Sequence, residues 1–178
     1  MLNTILNIFE TYQTFFTGLL GFTGVIITMI VNAKIQRKLE ENRIEHEKMS
    51  IRTAIKSELV ANKNAYELRV NQLNEPGHEN DHVLIPNKVI DGIYRTLLNK
   101  IGMLTEDEVE KILNAYLLME EVLYNIRILA GTNNIVGYKD EIIMIREKRI
   151  LEKVEKMHSS YIPKISDAIY SIENQLNS

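Results

Sequence analysis

The chain has no cysteine. That excludes a disulfide-stapled secreted scaffold, a thiol enzyme and any zinc site built on thiolates. Histidine is scarce too: the four (His46, His78, His82, His158) are too few for a metal cage. There is no glycine-rich phosphate loop, no HExxH and no Ser/His/Asp spacing. Neighbouring acids such as Glu120 and Glu121 point different ways on a helix and form no catalytic dyad. Neither an enzyme, a cofactor nor a metal is expected. Charge is missing from one stretch. Residues 1–33 hold a single charged side chain, Glu10, while the other 44 fall in the remaining 145 residues. The net charge of −3 gives no whole-protein attraction to nucleic acid, so any such binding needs a local patch. One part of the chain is long enough for a membrane span, the other for a single domain with its own core.

What fills the uncharged stretch is apolar. Residues 11–33 are uncharged throughout, and about 20 such residues cross ~30 Å of hydrocarbon as a helix. The sequence Val31-Asn32-Ala33 has the small-residue look of a cleavage site, but a signal peptide carries its positive charge before the apolar run. Here Lys34, Arg37 and Lys38 follow it. An uncleaved anchor is expected, with the amino terminus outside and everything after Lys34 in the cytoplasm of a bacterial cell.

The span carries a pattern. Asn3, Asn7, Glu10, Thr14, Thr17, Gly21, Gly24 and Thr28 are spaced 4, 3, 4, 3, 4, 3, 4, the period of a left-handed helix–helix seam. Every member is polar or glycine, and all four phenylalanines (Phe9, Phe15, Phe16, Phe22) lie off the stripe. One reading is a packing seam, where small residues let membrane helices approach and threonines bond across or back. The other is an aqueous path lined by the stripe in several copies, with Glu10 and the asparagines toward its outer mouth.

No proline precedes Pro76 and no glycine lies between Gly24 and Gly77, so the membrane helix should run on to about residue 73. Residues 34–48 (KIQRKLEENRIEHEK) read as a solvated connector, with Ile35, Leu39, Asn42, His46 and Met49 able to continue the self-association spacing. From Ile51 the apolar positions thicken through Ile55, Leu59, Tyr66, Val70 and Leu73, where the core should begin. Residues 74–86 read as a polar loop; its His78 and His82 stand at i, i+4 without a third ligand. A short helix is expected over 87–100, burying Val89, Ile90, Ile93, Leu97 and Leu98. Thr105 and Glu108 fit a capping box opening a helix that Gly131 stops. Its apolar residues are too many for one stripe, so it should be the central core helix. A last helix is expected from near Tyr138, kinked or restarted at Pro163, with Ile165, Ile169, Ile172 and Leu176 closing the bundle. No stretch alternates with period two, so the expected class is all-α. The expected layout is a transmembrane segment at 1–33, a stalk at 34–73 and a helical bundle at 74–178 packing on 51–73.

One charge pattern bears on binding. On a helix from 140 to 156, Ile143, Ile150, Val154 and Met157 would form one sector, Glu141, Glu152 and Glu155 a second, and Arg146, Arg149, Lys153 and Lys156 a third. The basic sector suits phosphates, such as a nucleotide or short oligonucleotide between subunits. A solvated face with pairs such as Glu152–Lys156 is the alternative.

The run AIKSELVAN at 54–62, the tripeptide Leu84-Ile85-Pro86, Ile93, Tyr94 and Leu97, the run IGMLTEDEV at 101–109, and Ala115-Tyr116 occur in a familiar order. They resemble small bacterial single-pass membrane proteins with an ELxxN helix after the span, a proline-containing loop and a pair of helices. The resemblance covers roughly residues 10–130. Some such proteins resemble membrane effectors of anti-phage defence systems, the Hailong type among them. It implies a homo-oligomeric channel, with a tetramer favoured, controlled by an oligonucleotide that a partner nucleotidyltransferase makes. The polar stripe and the basic sector both fit that implication. A non-conducting anchor that recruits a partner protein is the competing class.

Overall fold

In the computed structural model the backbone is described for residues 2–74, 83–131, 135–136 and 141–177, and side chains for 12–74, 83–131 and 141–177. The fold is essentially all-α. Helix α1 (Leu2–Asn74) runs 73 residues without interruption, as a stretch free of interior breakers after Gly24 allows. It is followed by β1 (Val83–Pro86), α2 (Gly92–Leu97), a 3₁₀ turn at Ile101–Met103, and α3 (Glu106–Ala130). Strands β2 (Ile135–Val136) and β3 (Ile142–Ile145) and helix α4 (Lys148–Leu176) complete the chain.

The chain forms two compact units, residues 1–47 and 48–178. In the first, every described side chain through His46 is exposed. This part of α1 is long and apolar enough to cross a membrane, with a mean hydropathy of 2.0 in its apolar window.

The second unit buries two apolar clusters. Ile51, Ile55 and Leu59 of α1, Ile112, Tyr116 and Met119 of α3, and Ile165 and Ile172 of α4 form the first. Val122 and Ile126 of α3, Val154 of α4, Ile85 of β1, and Ile143 and Ile145 of β3 form the second. Helices α3 and α4 contribute to both and so join them.

The expected loop and last helix are corrected by a small antiparallel sheet in the order β1-β3-β2, with Val83 opposite Ile145 and Ile85 opposite Ile143. Burial alternates along β3, where Ile143 and Ile145 are buried. The alternation is hidden in the sequence because all four residues, Ile-Ile-Met-Ile, are apolar. Helix α4 accordingly begins at Lys148 rather than near Tyr138, and it passes through Pro163 as one helix. Residues 87–91 are not helical either: α2 is only six residues long, and Ile90, Ile93 and Leu98 are exposed instead of buried. Helix α3 is central on one face alone, because Leu117, Tyr124 and Ile128 stand in solvent.

The start of α3 shows how sequence becomes structure. Thr105 and Glu108 form the capping box: the Glu108 N–H donates to the Thr105 hydroxyl, and the Thr105 N–H donates to Glu108 Oε2 at 2.9 Å. The same carboxylate receives Arg52 from α1, Nε to Oε1 at 2.7 Å and Nη2 to Oε2 at 3.0 Å, with both residues buried. Burial pushes the Glu108 pKa up, but the bonds from Arg52 and Thr105 outweigh it, and the net shift is downward. The stability linked to that shift is whole above the ordinary glutamate range. It is lost as pH falls through the lower folded value. At the other end Gly131 adopts φ 79°, a left-handed conformation open to glycine, and its N–H donates to the Arg127 carbonyl at 3.0 Å.

Arg52→Leu should destabilise the helical domain by about 3–5 kcal/mol, because it leaves the Glu108 carboxylate buried without its cation. Adding Glu108→Gln, which keeps a capping-box side chain, should recover part of that loss. Unfolding followed by circular dichroism reads both effects. Equal stability of Arg52→Leu and wild type would show that the ion pair does not hold α3 to α1.

Candidate functional site

The polar stripe of α1 is exposed wherever its side chains are described: Thr14, Thr17, Gly21, Gly24 and Thr28. Asn3, Asn7 and Glu10 belong to the same helix, but their side chains lie outside the described residues. The Thr17 hydroxyl donates to the Gln13 carbonyl and the Thr28 hydroxyl to the Gly24 carbonyl, both at 2.8 Å. A Cβ built on Gly21 or Gly24 meets nothing within 4 Å. The stripe is therefore shallow, internally bonded and open for another body to approach.

The basic residues are not all on one helix. Arg149, Lys153 and Lys156 lie on α4 at spacings of 4 and 3 and are exposed. Arg146 precedes α4, and its guanidinium donates to the Met144 sulfur at 3.4 Å. Ile143 is a buried strand residue, so the sector expected to contain it does not exist as drawn. His78 and His82 lie outside the described residues. Among the described residues no group of three or more metal-ligating side chains converges.

The structure brings together a set of residues that spacing alone did not single out as a site. Helix α2 buries none of its residues, and its N-cap Asp91 makes no side-chain capping bond. The cap comes from α1. Glu58 Oε2 accepts the Ile93 N–H at 2.6 Å, and its Oε1 accepts the Tyr94 N–H at 3.0 Å and the Tyr116 hydroxyl at 2.6 Å. One turn on, the Asn62 side chain donates to the Ile90 carbonyl at 2.7 Å and accepts the Ile90 N–H at 3.3 Å, pairing with it as a strand would. The ELxxN run is thus a clamp: Glu58 caps, Leu59 is buried, and Asn62 holds the extended segment. Tyr94 stacks on Tyr116 with ring centroids 4.0 Å apart. Burial, then the bond to Glu58, raises the Tyr116 pKa well above the ordinary tyrosine value. One signal was present in the sequence, since Asn62 interrupts an otherwise apolar stripe between Leu59 and Tyr66.

The clamped segment and α3 border an open groove of about 710 Å³, lined among others by Lys88, Val89, Leu117, Glu120, Tyr124 and Arg127. Arg95 bridges Asp91 and Glu120 across its wall, and Arg127 donates to Asn87. A further polar pair, partly buried on the Arg69 side, joins α1 to α4. Arg69 Nη1 lies 3.0 Å from His158 Nε2, and His158 Nδ1 lies 2.8 Å from the Val154 carbonyl. Arginine only donates, so Nε2 accepts and Nδ1–H donates, which fixes a neutral imidazole. Tyr66 packs edge-on against that ring at 4.6 Å. Compared with known proteins, the chain matches no family model, no curated protein and no solved structure.

Burial lowers the His158 pKa from 6.5 to about 4, with the Arg69 charge adding to it against the bond to Val154. The unfolded chain therefore takes up a proton as pH falls through 6.5, whereas the folded one waits until about 4. Stability should be whole above pH 6.5 and fall by about 3 kcal/mol across that window. Below it the loss should level off. His158→Gln, which keeps an acceptor for Arg69, should flatten the slope. Unfolding midpoints measured between pH 6.5 and 5, above most carboxylates, check this; an unchanged slope assigns it to other groups.

Proposed function

We propose that the chain is an oligomeric membrane effector: an ion channel anchored by α1, with its helical domain in the cytoplasm, gated there by a nucleotide or oligonucleotide. The observation that carries this reading is the unbroken stripe of Thr14, Thr17, Gly21, Gly24 and Thr28 on an apolar, exposed stretch of α1. In a single copy it faces lipid, which offers its small and polar residues nothing beyond the bonds within α1. Several copies turn it inward, toward one another or toward water. Lys34, Arg37 and Lys38 after the apolar run support a cytoplasmic domain in the inner membrane. Exposed Arg149, Lys153 and Lys156, with Arg146 just before their helix, support an anionic ligand. The role in anti-phage defence, the tetramer and the partner nucleotidyltransferase rest on the resemblance alone.

A second reading has an observation of its own. The Thr17 and Thr28 hydroxyls are turned onto carbonyls of their own helix, which suits a dry seam. A non-conducting anchor that recruits a partner protein through the helical domain fits that seam.

Thr17→Leu and Gly21→Leu place a dry apolar ring across any path that the stripe lines. Phe16→Leu, off the stripe, changes little for lipid. Ion flux in liposomes should be lost in the first two and kept in the third, with oligomerisation intact in each. A side chain at Gly21 meets nothing in its own copy, so an effect there reports neighbouring copies. An assembled Gly21→Leu that conducts as wild type does would remove the channel reading in favour of the anchor.

Replacing Arg146, Arg149 and Lys153 with glutamine should abolish salt-sensitive oligonucleotide binding by the full-length protein and leave its helicity unchanged. A wild-type protein with no salt-dependent retention of any nucleotide or oligonucleotide would return these residues to a solvated face.

A further inference from the structure

Helix α3 carries a face that its own copy leaves uncovered. Leu117, Glu121, Tyr124 and Ile128 follow one another at spacings of 4, 3 and 4, so they lie along one side. The three apolar members are 62%, 61% and 61% exposed. The other side of the same helix is sealed by Ile112, Met119, Val122 and Ile126. Large apolar side chains gathered on one solvent-facing helix surface mark an interaction site, whereas scattered ones do not. The groove of about 710 Å³ beside this face includes Leu117 and Tyr124 in its lining.

The charges beside the stripe say what covers it. At about 100° per residue, Glu120 and Arg127 flank the same side of the stripe, roughly 10 Å apart along the axis. They carry opposite signs on either side of the level of Tyr124. This arrangement is complementary to itself. A second α3 running antiparallel, related by a twofold axis beside Tyr124, sets Glu120 of one copy against Arg127 of the other, twice by symmetry. Leu117 then runs alongside Ile128 of the second copy, and the two Tyr124 rings meet near the axis. A parallel pair puts the flanking charges on opposite sides, out of reach of each other. Neither charge is locked away: the Glu120 side chain is 56% exposed while holding Arg95, and Arg127 is exposed while bonded to Asn87.

We propose that the α3 face Leu117–Tyr124–Ile128, rimmed by Glu120 and Arg127, is a twofold homotypic interface through which the helical domain pairs with a second copy of this chain. It is separate from the α1 stripe and stands whether or not that stripe conducts.

The absence of cysteine makes the test clean, since any introduced thiol is unique in the chain. Tyr124→Cys in the full-length protein, in membranes, should give a disulfide-linked homodimer on mild oxidation. Tyr170→Cys, equally exposed but on α4, should give little. In the Tyr124→Cys background, Glu120→Arg alone and Arg127→Glu alone should each lower the yield to the Tyr170→Cys level. The two together should restore it, and raised salt should weaken it throughout. Restoration by the double exchange excludes misfolding as the cause of the single losses. Cross-linking at Tyr124 no better than at Tyr170 overturns the proposal, as does a cross-link to a different polypeptide. Insensitivity to both single exchanges overturns it too. Persistence of the Tyr124 cross-link in a Gly21→Leu protein that has lost flux separates this interface from the channel reading.

Discussion

A polar side chain withdrawn from water must find a partner, and α1 withdraws Arg52, Glu58 and Asn62 completely and Arg69 in part. Each partner sits on a different part of the domain. Arg52 takes Glu108 at the start of α3, Glu58 takes the start of α2 and Tyr116, Asn62 takes the extended segment at Ile90, and Arg69 takes His158 on α4. The apolar stripe of Ile51, Ile55 and Leu59 supplies attraction, but attraction without direction. The polar bonds supply the direction. A slide of this stretch of α1 by one turn, about 5.4 Å, would bring Ile55 and Leu59 to the places of Ile51 and Ile55 and break every one of these bonds.

That asymmetry shapes how the domain can change. Helix α2 buries no residue of its own and has no local cap, so its place depends on Glu58, Asn62 and the Tyr94–Tyr116 stack. Tyr94 and Leu97 pack, partly buried, against the core, and the bonds from Glu58 fix where the helix starts. The segment also forms one wall of the groove against α3, so the groove is defined partly by α1. Val89, Asp91 and Arg95, which line the groove, alternate along the segment with Ile90, Ile93 and Tyr94, which the clamp holds.

Local chemistry made part of this legible. The Thr105–Glu108 capping box, the Gly131 stop and the uninterrupted α1 are written in short-range patterns, and the structure follows them. The misses come from partners far away in sequence. Nothing near Asp91 says that its helix is capped by Glu58, 35 residues before the Ile93 it bonds. The strand at Ile142–Ile145 has no polar residue to reveal its period, so spacing alone extends a helix across it and Arg146. The apolar count of α3 points to a central core helix, yet a count cannot distinguish a core face from a face awaiting another molecule. For the candidate sites, composition marked the α1 stripe and the α4 cations, but the clamp became a site only when its partners were placed.

The two uncovered faces are mismatched to their surroundings in opposite senses. On α1, small and hydroxylic residues stand on a helix apolar enough for lipid; on α3, leucine, tyrosine and isoleucine stand on a helix otherwise dressed for water. In lipid there is no hydrophobic gain in hiding apolar surface, so association there rests on close approach, which Gly21 and Gly24 permit. In water the gain comes from the apolar residues, and charge sets the register, as Glu120 and Arg127 are placed to do. The two proposed contacts therefore respond to different variables. Salt would screen the proposed pairing of Glu120 with Arg127 between copies and leave a seam of glycine and threonine inside a bilayer untouched. Lipid thickness and packing act on the seam and not on α3. An assembly using both could loosen at one contact while remaining held by the other. The proposed channel, which must change state without falling apart, needs that property.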